Sequence, residues 1–146
     1  MSMIQIERER AGLVLEKYQK SFDNSITLLL HAKKGLKPEA VFDFITLSQY
    51  SGQIIERLLN KTIKTFTSYK IHNQSLDPTV SEKLLKLFAL YEKGISVFGS
   101  TPEFNKWMAE PAFGLGNQTP QTILDTITGI ELVGEELTRI EYGDLA

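Results

Sequence analysis

Apolar residues recur along this chain at three- and four-residue intervals, the spacing of helices that bury one face. The clearest run is Val80, Leu84, Leu87, Phe88, Leu90, Tyr91, Ile95 and Phe98. It predicts a helix of about five turns from Thr79 to a stop at Gly99. Asp77 and Pro78 stand before it as cap and first-turn proline. Upstream, Pro38 and Glu39 open a helix whose buried face is Val41, Phe42, Phe44, Ile45 and Leu47. Ser51 and Gly52 break the chain, and Ile54, Ile55, Leu58 and Leu59 then mark about two turns of helix. Asn60 tolerates left-handed backbone. Thr62 caps a further helix running to about Lys70, with Ile63, Phe66 and Tyr69 facing inward. Two short helices joined by so short a turn form a helix-turn-helix, whose second helix is the one that meets nucleic acid.

The flanks are less regular. Ser25 to Lys34 ends in basic residues ahead of Gly35, which fits a short helix with a glycine stop. Its apolar run, Ile26–Leu30, is too short to reveal a period, so a buried strand stays open there. Residues 1–22 mix charged and apolar positions, and Gly12 interrupts any long helix. An arm, a short helix and partial disorder all remain open for this segment. Beyond Gly99, Ser100, Thr101, Pro102 and Glu103 begin a new helix with cap, proline and first-turn acid. It carries Trp107, the sole tryptophan, read as a buried anchor. A loop rich in Gly, Pro and Ala fills 109–118, and Thr119 and Pro120 start a short helix through Leu124. The last helix runs from about Thr126 or Ile130 to Tyr142. Every element reads as helix, so the expected fold is all-α, without internal repeats.

Composition narrows the chemistry. The chain has 146 residues, 42% hydrophobic and 23% charged, the size of one domain or two very small ones. It has no cysteine, which excludes disulfides, thiol catalysis and Cys-based zinc sites. No apolar run approaches the roughly 18 residues of a membrane span, and the N-terminus lacks the layout of a signal peptide. A cytoplasmic protein is expected. The two histidines, His31 and His72, have no metal-type spacing. Gly114-Leu115-Gly116 has neither the preceding strand nor the following Lys of a phosphate loop. No nucleophile, base and orienter assemble, so neither an enzyme nor a cofactor or metal is expected.

Charge is distributed unevenly. The total is −2, but residues 53–75 hold Arg57, Lys61, Lys64 and Lys70 against Glu56 alone. Residues 101–146 hold Lys106 and Arg139 against eight acids. A mildly basic middle and an acidic end suggest two surfaces for two partners. On the second helix of the helix-turn-helix, Lys61, Thr62, Lys64, Thr65, Thr67, Ser68 and Lys70 are the expected DNA-contacting positions. That helix has no arginine, so the commonest guanine contact is missing. Asp125, Glu131, Glu135, Glu136 and Glu141 read as a solvated face. Gly114, Gly116 and Gly129 read as backbone devices. At the chain end Leu137 and Ile140 share one helix face, while Arg139 and Tyr142 share another. The compact string Arg139 to Gly143 suits insertion into a partner.

The order Phe104, Trp107, Pro111, Phe113-Gly114-Leu115-Gly116, Thr119-Pro120, Ile123-Leu124, Gly129-Ile130, Val133, Leu137 and Arg139-Ile140-Glu141-Tyr142-Gly143 resembles the C-terminal domain of the Xre/MbcA/ParS antitoxins. Those antitoxins are the partners of RES-type toxins. Ile54-Ile55, Leu58-Leu59, Thr62, Thr65-Phe66 and Tyr69-Lys70, followed by Leu76, Ser81-Glu82 and Leu84-Leu85, are similar to the Xre-type helix-turn-helix of the same family. Tyr91, Gly94 and Val97-Phe98-Gly99 match as well. The resemblance implies an N-terminal arm over 1–24, an Xre-like helix-turn-helix domain over 25–99 and a small helical toxin-binding domain over 100–146. It implies neutralisation of an NAD-consuming RES toxin by direct binding, autoregulation through operator DNA, and a homodimer. Phe113, Leu115, Asn117, Thr119, Glu135, Arg139, Glu141, Tyr142 and Gly143 are then the expected toxin contacts. Where family members often carry Arg on the recognition helix, this chain has Thr67 and Ser68, so weak DNA binding is expected. Two other classes stay open: a stand-alone helix-turn-helix regulator, and an interaction protein without DNA binding.

Overall fold

In the computed structural model, which describes residues 2–143, the long apolar run folds as helix α6, Pro78–Phe98, and the other elements are arranged around it. Before it come α1 (Met3–Phe22), α2 (Ser25–Lys34), α3 (Glu39–Ser48), α4 (Gly52–Leu59) and α5 (Ile63–Ile71). After it come α7 (Thr101–Met108), two 3-10 turns at Phe113–Leu115 and Pro120–Ile123, and α8 (Ile127–Glu141). The fold is all-α; one isolated bridge joins Ala112 and Gln118. Among the described residues no helix is long and apolar enough to cross a membrane.

The ends of α6 are set by sequence. The Asp77 carboxylate accepts from the Val80 amide at 2.8 Å, and Gly99 turns left-handed at φ 96°. Its middle is buried nearly all round: Leu84, Leu85, Leu87, Phe88 and Tyr91 are fully enclosed. One helix therefore packs on α1, α2, α3 and α4 and also on α7 and α8. The aromatic core crosses the same line. Phe44 meets Tyr50, Phe88 and Tyr91 edge to face, Tyr18 stacks on Phe88 at 4.3 Å, and Tyr91 meets Phe104 at 4.9 Å. Polar bonds add to it: Thr101 and Asn105 of α7 donate to the Leu47 and Ser48 carbonyls at 3.2 and 2.7 Å.

Three expectations need correction, and one open alternative closes in favour of the helix read over Ser25–Lys34. Residues 3–22 form one packed helix, not an arm, and Gly12 does not interrupt it. The cost of a mid-helix glycine is only about 1 kcal/mol, against the burial of Ala11, Tyr18 and Phe22 and a Ser2–Gln5 capping box. The run Ile26–Leu30 is helical, which closes the strand alternative, and it turns Ile26, Leu29 and Leu30 to solvent. Trp107 is half-buried rather than an enclosed anchor. It stacks on Phe98 and Phe104 at 5.5 and 6.1 Å, and Phe104 is the enclosed ring. Gly94 admits that ring, since a Cβ there would overlap it. The Thr119-Pro120 start yields a 3-10 turn with no side-chain cap.

Candidate interaction surfaces

The basic surface is built on α4 and α5. Asn60 adopts the left-handed conformation at φ 55°, and the Thr62 hydroxyl accepts from the Thr65 amide at 3.1 Å. Phe66 is buried, with Ile63 and Tyr69 half-buried beside it. This leaves Thr62, Lys64, Thr67, Ser68 and Lys70 exposed; Lys61 and Thr65 are half-buried. Several of the polar groups have internal partners. Lys61 lies 3.9 Å from the Asp77 carboxylate, and the Thr62 and Thr65 hydroxyls bond each other at 3.0 Å. Ser68 lies 3.4 Å from the His72 ring, and the Lys70 ammonium lies over Phe42. Arg57 reaches across to the Gln121 carbonyl at 3.0 Å. Of the cations read from the sequence only Lys61 is partly offset by a carboxylate; Lys64, Lys70 and Arg57 keep their charge on the exposed surface, with Lys64 and Lys70 on α5 itself. Glu56 has a role the sequence reading missed. Its carboxylate accepts from the Ile63 amide at 2.7 Å, at the start of α5, where a phosphate would otherwise find the helix dipole.

The acidic surface combines the 113–118 turn with α8. The Ala112 amide donates to the Gln118 carbonyl at 3.0 Å, and Asn117 returns a bond to the Ala112 carbonyl. Gly116 and Asn117 both adopt left-handed backbone, closing a tight ring. Leu115 points into the core and holds the ring down, so its side chain is not available to a partner. Phe113 stands outward at 85% exposure, far more than a lone aromatic of this size normally shows. Asn117 is exposed and Thr119 half-buried.

On α8, Leu137 is buried and Ile140 half-buried, while Tyr142 is 73% exposed and Arg139 40%. Steps of three and four residues place Leu132, Glu135, Arg139 and Tyr142 on one stripe. Leu132, 43% exposed, belongs to this face and was not anticipated, although the spacing was available in the sequence. Glu141 turns the other way. With Phe22, Asp23, Glu92 and Lys93 it lines a cleft of about 530 Å³. Glu131 is paired to Lys86 at 2.8 Å. Gly143 is exposed at φ 73°.

Glu136 departs most from expectation. Read as part of a solvated acidic face, it is 1% exposed. Its Oε2 accepts from Arg139 Nη2 at 3.1 Å, and the Phe113–Leu115 turn lies across it, because Gly114 has no Cβ to collide with the carboxylate. The period of α8 puts Glu136 beside Val133 and Leu137, on the inward side. The two surfaces are tied together by Lys83, whose ammonium donates to the Leu58 carbonyl at the end of α4 and to the Asp125 carbonyl before α8.

Comparison with known proteins agrees with this geometry. Residues 93–143 match the family model described as the antitoxin Xre/MbcA/ParS C-terminal toxin-binding domain. The match begins inside α6, which fits a helix shared by both parts. Antitoxin Xre of Yersinia enterocolitica is 27% identical over 81 residues, 55% of each chain. The alignment therefore spans about half the length of that relative. The Prs ADP-ribosylating antitoxin of Sphingobium sp. (strain YBL2) is 28% identical over 123 residues, 78% of this chain and 77% of that one. The resemblance to the Xre/MbcA/ParS antitoxins read from the motifs stands, and its C-terminal part coincides with the matched residues 93–143.

Proposed function

We propose, starting from the antitoxin domain over residues 93–143, that this protein is the antitoxin of a toxin–antitoxin system and neutralises a RES-domain toxin by direct binding. The observation that carries the reading is the exposed face formed by Phe113 with Leu132, Glu135, Arg139 and Tyr142, on the domain whose relatives hold toxins. Tyr and Arg are the residue types most often found as interface hot spots. The work is stoichiometric, and no catalytic role is assigned to any residue.

The acid excess of residues 101–146 supports the NAD-consuming class of target. A cleft shaped for an anionic dinucleotide carries positive groups, and an acidic partner is steered toward it. The Sphingobium relative's name contains ADP-ribosylation, a transfer for which NAD is the donor. The exposed Lys64, Thr67, Ser68 and Lys70 of α5 support a second role, weak operator binding and autoregulation. A homodimer fits that role, because paired half-sites call for paired recognition helices. The solvent-facing Ile26, Leu29 and Leu30 of α2 offer an apolar stripe for it.

The test is co-expression with a RES-domain toxin, the product of the neighbouring open reading frame being the first candidate, scored by growth, co-purification and cellular NAD. Rescue together with a stable complex is expected. Deleting residues 139–146 together with Glu136→Gln, which avoids stranding the buried carboxylate without its Arg139 donor, should leave a folded chain that no longer protects. A truncated chain that still co-purifies and still blocks NAD loss would move inhibition to the Phe113–Thr119 turn. Absence of any complex with the intact chain would end the antitoxin reading and favour a stand-alone regulator.

A further inference from the structure

Glu136 has a chemistry that packing alone does not call for. Burying a carboxylate is costly unless its oxygens find donors. Here Oε2 has one, Arg139 Nη2 at 3.1 Å, while Oε1 is buried without a hydrogen-bond partner among the described residues. A neutral side chain of the same shape would fill the space at lower cost. What the carboxylate adds is an ionic hold on Arg139. A guanidinium has five donors in a rigid plane, and the pairing with Glu136 uses one of them. Arg139 is 40% exposed, so part of the fork remains open to a partner. The same carboxylate lies against Gly114, the residue after the exposed Phe113.

We infer that Glu136 is a positioning residue of the toxin-contacting face: its buried carboxylate fixes the Arg139 guanidinium and couples it, through Gly114, to the turn that presents Phe113. The inference rests on the reading of that face as the toxin-binding one. The chemistry received by the fixed fork is a group of oxygen acceptors, carboxylate or backbone carbonyl, on the toxin. Fixing a long side chain before binding removes ordering cost at the interface. Arg139 is then the contact residue, and Glu136 acts through it.

The experiment uses the full chain and the RES-domain protein, with Glu136→Gln, Arg139→Ala, the double variant and Gly114→Ala. Glu136→Gln keeps size and shape and removes the charge. It should melt at or above the parent temperature yet bind roughly tenfold more weakly. A purely structural residue would lose stability and affinity together, and that result would overturn the inference. The double variant should bind no more weakly than Arg139→Ala alone; additive losses would mean the two residues act separately. Gly114→Ala should weaken binding as well, because its Cβ must displace the carboxylate or the turn. A readout without the toxin completes the test. In the free parent chain the Arg139 guanidinium N–H signals should be resolved and slow to exchange, and in Glu136→Gln they should collapse into fast exchange. Identical signals in both would overturn the positioning role even if toxin binding is seen. If no RES-domain protein binds the parent, the toxin reading fails while the guanidinium signals still decide whether Glu136 holds Arg139.

Discussion

Arg139 and Glu141 are two residues apart on one helix, about 200° around its axis, and they serve different surroundings. Arg139 lies with Leu132, Glu135 and Tyr142 on the outer stripe, whereas Glu141 lines the cleft beside Phe22 and Lys93. Arg139→Ala and Tyr142→Ala are each expected to weaken toxin binding by about 2 kcal/mol, roughly thirtyfold. Glu141→Ala and Glu131→Ala should change it by less than about threefold, the scale of rim charges. Titration calorimetry on the four variants separates these outcomes. Packing divides the aromatics in the same way. Phe104 is enclosed, so Phe104→Ala should cost about 3–5 kcal/mol. Half-buried Trp107 should cost about 2 kcal/mol when cut to Ala, read by denaturant unfolding.

At the scale of elements, α5 is the test case for DNA. Its cations, Lys64 and Lys70, are both exposed, while Lys61 just before it lies 3.9 Å from the Asp77 carboxylate. Lys64→Glu with Lys70→Glu should abolish operator binding while leaving toxin neutralisation intact, and each single variant should flatten the salt dependence by about one phosphate contact. Mobility shifts at two salt concentrations, beside a growth-rescue assay, read both. Most of the element map was legible in the sequence. Asp77-Pro78, Ser100 and Thr62 act locally, through their own side chains, and the caps lie where they were read. The stop at Gly99 and the left-handed Asn60 follow for the same reason. What escaped depends on neighbours distant in sequence. Gly12 is helical because Tyr18 and Phe22 are buried against the rest of the fold. Glu136 looks like its exposed neighbours until the Phe113 turn closes over it. Of the residues expected to meet a toxin, Arg139 and Tyr142 lie on the exposed stripe that helix spacing suggested; the sequence did not carry the inward turn of Leu115, because only the Ala112–Gln118 closure settles which way the loop points.

The whole molecule holds three tyrosines in one aromatic core. Burial raises the Tyr50 hydroxyl to about 12. It holds Tyr91 well above the usual tyrosine range, with Tyr50 adding to the effect. Tyr18 is raised by burial and then by the Asp43 carboxylate, which accepts a hydrogen bond from its hydroxyl. In the unfolded chain all three ionise near 10. Their folded values are raised, so the stability they supply is complete below about pH 10; the Tyr50 share is lost as pH rises through about 12, and the Tyr18 and Tyr91 shares as pH rises through their own raised values. Melting temperatures should therefore be level from pH 7 to about 9 and fall steeply by about 11. Because one core runs from Tyr18 to Phe104, the melt should also be a single transition rather than two. Calorimetry giving two separate peaks would show that residues 100–143 unfold by themselves.

Lifetime follows from α6. A helix that serves both surfaces, clamped by Lys83 to either side, leaves no solvated hinge among the described residues between α4–α5 and α8. A protease meeting the native chain finds no place to trim one activity from the other. Destruction is then all or none: on the function proposed above, whatever opens α6 ends operator binding and toxin neutralisation in the same event. Limited digestion of the free chain should yield the intact band and small peptides, with no stable fragment ending near Gly99.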